Sequence, residues 1–147
     1  MKKLTKKAED MTLKELAAYI DYSVLKPEFT PEQIIELTKD GVKLGCATIC
    51  INPGYMDLCE PYVKGSETKL CPVTDFPFGT SSTASKVQQI EMVAKYDTVG
   101  EVDVVANFGK IRAGLYDEVT ADIKACADAA MQHPYAVTPL TDYQTDP

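Results

Sequence analysis

Thr98-Val99-Gly100-Glu101-Val102-Asp103-Val104-Val105-Ala106-Asn107-Phe108-Gly109 sets two carboxylates inside a run that is otherwise almost wholly apolar. A valine-rich run bounded by glycines predicts a buried strand of a parallel sheet. Side chains alternate across a strand, so Glu101, Asp103, Val105 and Asn107 share one face, and Val102, Val104 and Ala106 share the other. An ionised carboxylate in a dry core costs several kcal/mol unless it is paired. The polar face therefore meets either a structural ion pair or a polar site such as the centre of a barrel, and shifted carboxylates occur in both settings.

Upstream of this stretch the chain alternates between helical and strand periods. Thr12-Leu13-Lys14-Glu15 has the form of a capping box and opens a short helix, followed by the strand-like run Ile20 to Leu25, in which Asp21 and Ser23 alternate with apolar residues. Thr30-Pro31-Glu32-Gln33 opens a second helix, with Ile34, Leu37, Gly41 and Leu44 on one face. Cys46 to Ile51 reads as a strand, and Asn52-Pro53 starts a helix capped by Asn52 that Pro61 should bend or end. Lys69 to Thr74 reads as the weakest strand, because Pro72 cannot donate to a ladder: either it faces a gap or the strand is displaced. Ser81-Ser82-Thr83 leads into a helix with Val87, Ile90 and Val93 at helical spacing. After the opening strand, Gly109 and Gly114 bracket a loop, and Tyr116, Val119, Ile123, Cys126 and Ala130 mark an amphipathic helix. The period then stops, so residues 131–147, with three prolines, read as an irregular tail, more like a replaced end than a fifth β/α unit. Residues 1–11 read as a charged N-terminal extension.

The fold class is α/β. Four β/α units with an extra helix in front fit a doubly wound sheet or half of a (β/α)8 barrel. Strand polarity favours the half-barrel, because Asp21, Ser23, Thr48, Cys50, Glu101 and Asp103 would all fall on one face, as barrel sites require. On this reading residues 12–130 are a partial barrel.

The bulk numbers exclude several functions. A net charge of -7 is wrong for a phosphate-backbone binder, and the one basic cluster, Lys2, Lys3, Lys6 and Lys7, reads as a solvated N-terminus. No apolar run reaches the roughly 18 residues that span a bilayer, and no secretory signal precedes the first helix, so a cytoplasmic location is expected, with no nucleic-acid or membrane partner. Five cysteines without C-x-x-C spacing, together with a single histidine, His133, argue for buried small hydrophobes rather than a zinc site.

Four stretches carry a family resemblance: Ile20-Asp21-Tyr22-Ser23-Val24-Leu25-Lys26-Pro27, Ala47-Thr48-Ile49-Cys50-Ile51-Asn52-Pro53, Val73-Thr74-Asp75-Phe76-Pro77-Phe78-Gly79 and Gly100-Glu101-Val102-Asp103-Val104-Val105. In this order and spacing the chain resembles the deoxyribose-phosphate aldolase family over residues 12–130. The resemblance implies a (β/α)8 barrel and reversible cleavage of 2-deoxyribose 5-phosphate to glyceraldehyde 3-phosphate and acetaldehyde through a lysine Schiff base, without metal or other cofactor. It makes Asp103 the proton-relay aspartate, Asp21 an acidic residue near a second lysine and Cys50 a lining residue of the substrate cavity; Ser23, Thr48 and Glu101, on the same predicted strand face, are expected to line that cavity with it.

Two departures bear on activity. Asp75 stands where the family usually has Asn or Gly, which adds a negative charge near the site. A complete barrel takes about 250 residues and this chain has 147; the Schiff-base lysine and the phosphate-binding glycine loops belong to later strands with no counterpart here. Lys26 and Lys110 are the nearest substitutes for the nucleophile, and Phe78-Gly79-Thr80-Ser81-Ser82 for the phosphate cradle. The chain is therefore expected to be a truncated aldolase, inactive alone, that self-associates through open barrel edges. The alternative is a non-catalytic half-barrel serving assembly or sugar-phosphate binding.

Overall fold

A computed structural model describes residues 6–133 and the backbone course of residues 136–140. Five strands lie side by side in chain order, β1 (Asp21–Val24), β2 (Thr48–Ile51), β3 (Lys69–Thr74), β4 (Glu101–Val105) and β5 (Ala136–Leu140), each parallel to the next. Between them run α1 (Leu13–Ala17, ahead of β1), α2 (Pro31–Leu44), α3 (Met56–Val63), α4 (Thr83–Val93), α5 (Phe108–Arg112) and α6 (Tyr116–Ala130). Sequential parallel strands with helices on one side form an arc of a (β/α) barrel. A doubly wound sheet would have broken the sequential order.

The helix starts follow their local chemistry. Thr12 and Thr30 both form capping boxes, with Glu15 and Gln33 returning to the cap amide. Ser82 caps α4, and Gly45, at φ 76°, ends α2 in the left-handed conformation. The helix-facing side of the sheet is apolar, with Ile49, Ile51, Leu70, Val102 and Val104 packed against Ile34, Met56, Ile90 and Cys126. Lys6 pairs with Glu15 and Lys7 with Glu9 at the surface, whereas Lys2 and Lys3 lie outside the described residues.

Pro72 does face a gap. β3 and β4 bridge at Leu70 and Val99 and then at Val73 and Asp103, so Cys71 and Pro72 on one side oppose Gly100, Glu101 and Val102 on the other. The extra residue is a bulge at the place where the proline has no N–H to give, and Pro72 still pairs in register with Ile51 of β2.

Four expectations are corrected. The stretch Ala136–Leu140 is a strand, paired along its length with β4, although residues 131–147 read as irregular; a strand paired on one edge tolerates a proline such as Pro139, and five residues are too few for a period to register. The remaining tail residues, 134–135 and 141–147, lie outside the described residues. The expected loop between Gly109 and Gly114 contains α5, because the Asn107 side chain accepts from the Lys110 amide and starts a helical turn. Asn52 does not cap with its side chain; its Nδ2 donates to the Leu25 carbonyl, and a short 3-10 turn, Pro53–Tyr55, precedes α3. That helix continues two residues beyond Pro61, so of the two expected effects, a bend or an end, the end does not occur at the proline, which sits in the last turn.

The buried face of α4 carries a charge. Lys86 has no exposed surface, and its ammonium donates to Asp122 Oδ2 of α6 at 2.6 Å and to the Val105 carbonyl at 3.0 Å, with Asp75 Oδ2 at 3.8 Å. Thr83 donates to the other Asp122 oxygen at 2.7 Å. One side chain thus ties α4, α6, the turn after β3 and the end of β4 together. Removing one partner of a buried pair leaves an uncompensated charge, at a cost of about 3–5 kcal/mol, while a well-packed apolar pair can be neutral. Lys86→Met alone should therefore cost about 3–5 kcal/mol in urea unfolding, and Lys86→Met with Asp122→Leu should regain most of it. A single-variant cost below about 1 kcal/mol would mean that the pair does not organise the fold.

Candidate functional site

The register of the strands assigns the polar residues to rows on the face away from the helices. Asp21 is opposite Thr48, Ser23 is opposite Cys50, Cys50 is opposite Cys71, and Val73 is opposite Asp103. The alternation read in β4 holds: Val102 and Val104 lie in the helix-side core, and Asp103 faces the concave side with Cys50 and Cys71. Asp21 and Ser23 are exposed on that side, Thr48 is buried, and Glu101 is half-buried one row below Asp103.

Hydrogen bonds knit these residues. The Thr48 hydroxyl donates to Asp21 Oδ1 at 2.7 Å, and the Cys50 thiol donates to Asp103 Oδ2 at 3.5 Å. Asp103 is only 5% exposed, and its Oδ1 has no hydrogen-bond partner. Burial pushes its carboxyl up to about 6; hydrogen bonds from Cys50 and Cys71 pull the other way, and the charges of Glu101 and Asp21 add to the rise. The Cys71 thiol is pushed up as well, by its hydrogen bond with Cys50, by burial and by the neighbouring carboxylates. The half-buried Leu25 and Phe76 pack against Cys50, Cys71 and Val73.

The lysines named from the sequence are engaged elsewhere. Lys26 lies over the Phe29 ring at 5.8 Å, and Lys110 pairs with Glu118 at 2.9 Å on the surface. Asp75 does not project a free charge into the site. At φ 57° it accepts from the Ser81 amide at 2.8 Å and the Ser81 hydroxyl at 2.6 Å, closing the turn before α4. The Ser81 amide of the expected phosphate cradle is thereby used. Gly79, at φ 66°, packs so that an added Cβ would stand 2.3 Å from the Ala106 carbonyl, which fits this turn tightly over the end of β4. A hollow lined by Leu13, Lys14, Leu44, Gly45 and Thr68 lies at the opposite end of the strands and contains none of these groups.

Sequence reasoning missed Cys71, Lys86 and Asp122. Cys71 alternates with Val73 on β3, and only strand pairing brings it to Cys50 and Asp103. Lys86 and Asp122 sit on the same helical faces as Ile90 and Cys126, a spacing that placed them inside had charge not argued against it.

The sequential parallel strands, the one-sided helix layer and the polar concave face define half of a (β/α) barrel. No family model matches the sequence. A curated deoxyribose-phosphate aldolase from Clostridium kluyveri is 39% identical over 115 residues, 78% of this chain and 52% of its own length. Another, from Staphylococcus carnosus, is 34% identical over 132 residues, 90% of this chain and 60% of its own length. A solved structure provisionally assigned as a deoxyribose-phosphate aldolase from Coccidioides immitis superimposes with a TM-score of 0.78 at 28% identity, over 86% of this chain and 50% of that one. The tetrameric deoxyribose phosphate aldolase from Aeropyrum pernix matches in fold, with a TM-score of 0.78 at 23% identity, over 92% of this chain and 56% of that one. The chain is a homologue of the deoxyribose-phosphate aldolases over most of its own length, and it spans about half the length of the curated relatives it matches.

The pH dependence of stability follows from Asp103. Its folded-state value, about 6, lies above the ordinary 3.8, so its share of stability is whole below pH 3.8 and is lost as pH rises through about 6. Asp103→Asn removes this dependence. The variant should gain about 2 kcal/mol on the native chain between pH 4 and pH 8 in urea unfolding. An unchanged difference at the two pH values would show that Asp103 titrates as an ordinary surface aspartate.

Proposed function

We propose that this chain supplies the proton-handling and substrate-lining part of a deoxyribose-phosphate aldolase site, and that the nucleophilic amine comes from a part of the barrel outside these residues. The observation that carries this reading is Asp103, a buried carboxyl with one unpartnered oxygen on the concave face of a chain homologous to aldolases. An acid that titrates near 6 can both give and take a proton around neutral pH, which the two directions of an aldol reaction require. Cys50 holds its other oxygen, and Asp21 with Thr48 forms a second polar pair on the same face for a hydroxylated substrate. On this reading the substrate is a sugar phosphate and the setting is the cytoplasm, which would keep the described cysteines as the free thiols they are.

The covalent step sets the limit. A primary amine adds to the aldehyde and loses water to form an iminium, which then accepts the electron pair of the cleaving carbon–carbon bond. That needs an unprotonated amine within bonding distance of the carbonyl. Among the described lysines, Lys86 is wholly buried in its ion pair, and Lys26 and Lys110 are held at Phe29 and Glu118. The 147-residue chain alone should therefore give no borohydride-trapped adduct with millimolar acetaldehyde, read by intact mass, and no cleavage of 2-deoxyribose 5-phosphate above background. A substrate-dependent adduct that maps to one lysine, and is lost when that lysine becomes Met, would overturn the proposal.

A further inference from the structure

We infer that Cys50, Cys71 and Asp103 form a site for a thiophilic divalent cation, with zinc as the best-matched ion. The inference goes beyond the aldolase reading, which uses no metal, and it stands or falls separately from it. The absence of C-x-x-C spacing argues against zinc only within one local turn; parallel pairing brings together two cysteines 21 residues apart, as Cα partners on adjacent strands.

The geometry is close to a ligand set. The Cys50 and Cys71 sulfurs and a carboxylate oxygen of Asp103 all lie within 4.8 Å of one another. Donors around a tetrahedral zinc, at bonds of about 2.0–2.3 Å, stand roughly 3.3–3.8 Å apart. Side-chain adjustment of about an ångström closes that difference, and the three Cα positions sit on paired strands rather than on loops. All three residues are buried, at 2%, 0% and 5% exposure.

A second observation points independently to a ligand. Asp103 Oδ1 is buried without a hydrogen-bond partner, a state that costs free energy and that a cation would relieve. Asp21 shares the concave face with these residues, and an acidic face favours a positive ion over a further negative one. Softness selects the ion: two thiolates with one carboxylate suit zinc and its neighbours rather than magnesium or calcium.

Binding is a ligand exchange without electron transfer. The cation replaces the thiol protons of Cys50 and Cys71, and that of Asp103 where it is protonated, and these protons leave to solvent. Two thiolates and one carboxylate then surround a +2 ion, which leaves a fourth position for water or a small anion. An ion bound there would occupy the oxygen that the aldolase reading assigns to proton transfer, so occupancy and proton transfer would exclude one another.

Cobalt substitution tests this directly. The reduced chain is titrated anaerobically with Co2+ and followed by its visible ligand-field bands and its near-ultraviolet thiolate-to-cobalt charge transfer, then back-titrated with Zn2+. The expected result is one cobalt per chain with the intensity of two thiolates, displaced by zinc. Cys50→Ala and Cys71→Ala should each halve the charge transfer and weaken binding by at least about 100-fold, while Asp103→Asn keeps the thiolate band at lower affinity. Cys126→Ala, in the helix-side core, should bind as the native chain does. Far-UV circular dichroism verifies that each variant is folded; should Cys71→Ala not fold, Cys50→Ala and Asp103→Asn carry the test. No thiolate band at one equivalent of cobalt, an oxygen-only spectrum, or a band of undiminished intensity and affinity in Cys50→Ala would overturn the inference.

Discussion

A lysine ammonium with no exposed surface must be met at its donors, and Lys86 is met by Asp122, by the Val105 carbonyl and, farther off, by Asp75. Taking such a charge out of water costs several kcal/mol, so the elements that supply its partners cannot drift apart without exposing that cost. Those elements are α4, α6, the turn after β3 and the last residue of β4. Asp103 lies two residues before Val105 on the same strand. The orientation of the concave face at its most buried carboxyl is thus coupled to an ion pair on the other side of the sheet.

How much of this could be read from residues depends on whether the signal is local. The caps at Thr12 and Thr30 were legible because a capping box is complete within four residues. The two faces of β4 were legible because alternation is a property of the strand itself. An irregularity at Pro72 was legible because a missing N–H cannot join the ladder, although a gap and a displaced strand both fitted the sequence, and only the register of β3 with β4 decides for the gap. What was hidden depends on partners far along the chain. Lys86 looks like surface until Asp122 is brought to it, and Cys71 gains its neighbours Cys50 and Asp103 only through pairing. β5 is hidden for a similar reason: Ala136–Leu140 is too short and too broken by Pro139 to declare a period, and its partner strand, β4, defines it.

The arc places unlike tasks on its two sides. Toward the helices it is apolar, and its energy is that of burial; toward the concavity it collects Asp21, Glu101 and Asp103, and burial, with the charges of Glu101 and Asp21 adding to it, raises the carboxyl of Asp103. A sheet optimised for stability alone would not keep an unpartnered buried oxygen on that face. Homology to the aldolases over most of the chain gives this strain a use in the proposed reading, as a proton carrier tuned near neutrality. The same cost makes the site attractive to a cation, so the two proposals share one physical origin while predicting different chemistry.

Asp103 is a desolvated carboxyl on a concave side that also carries Glu101 and Asp21. Carbon-detected NMR of the side-chain carboxyl, followed through a pH titration of the folded chain and assigned by comparison with Asp103→Asn, reads this state directly. The expected midpoint for Asp103 is about 6. A midpoint at the ordinary aspartate value of 3.8 would contradict it, because a carboxyl that ionises as if in water is neither buried in that field nor poised to exchange protons near neutral pH.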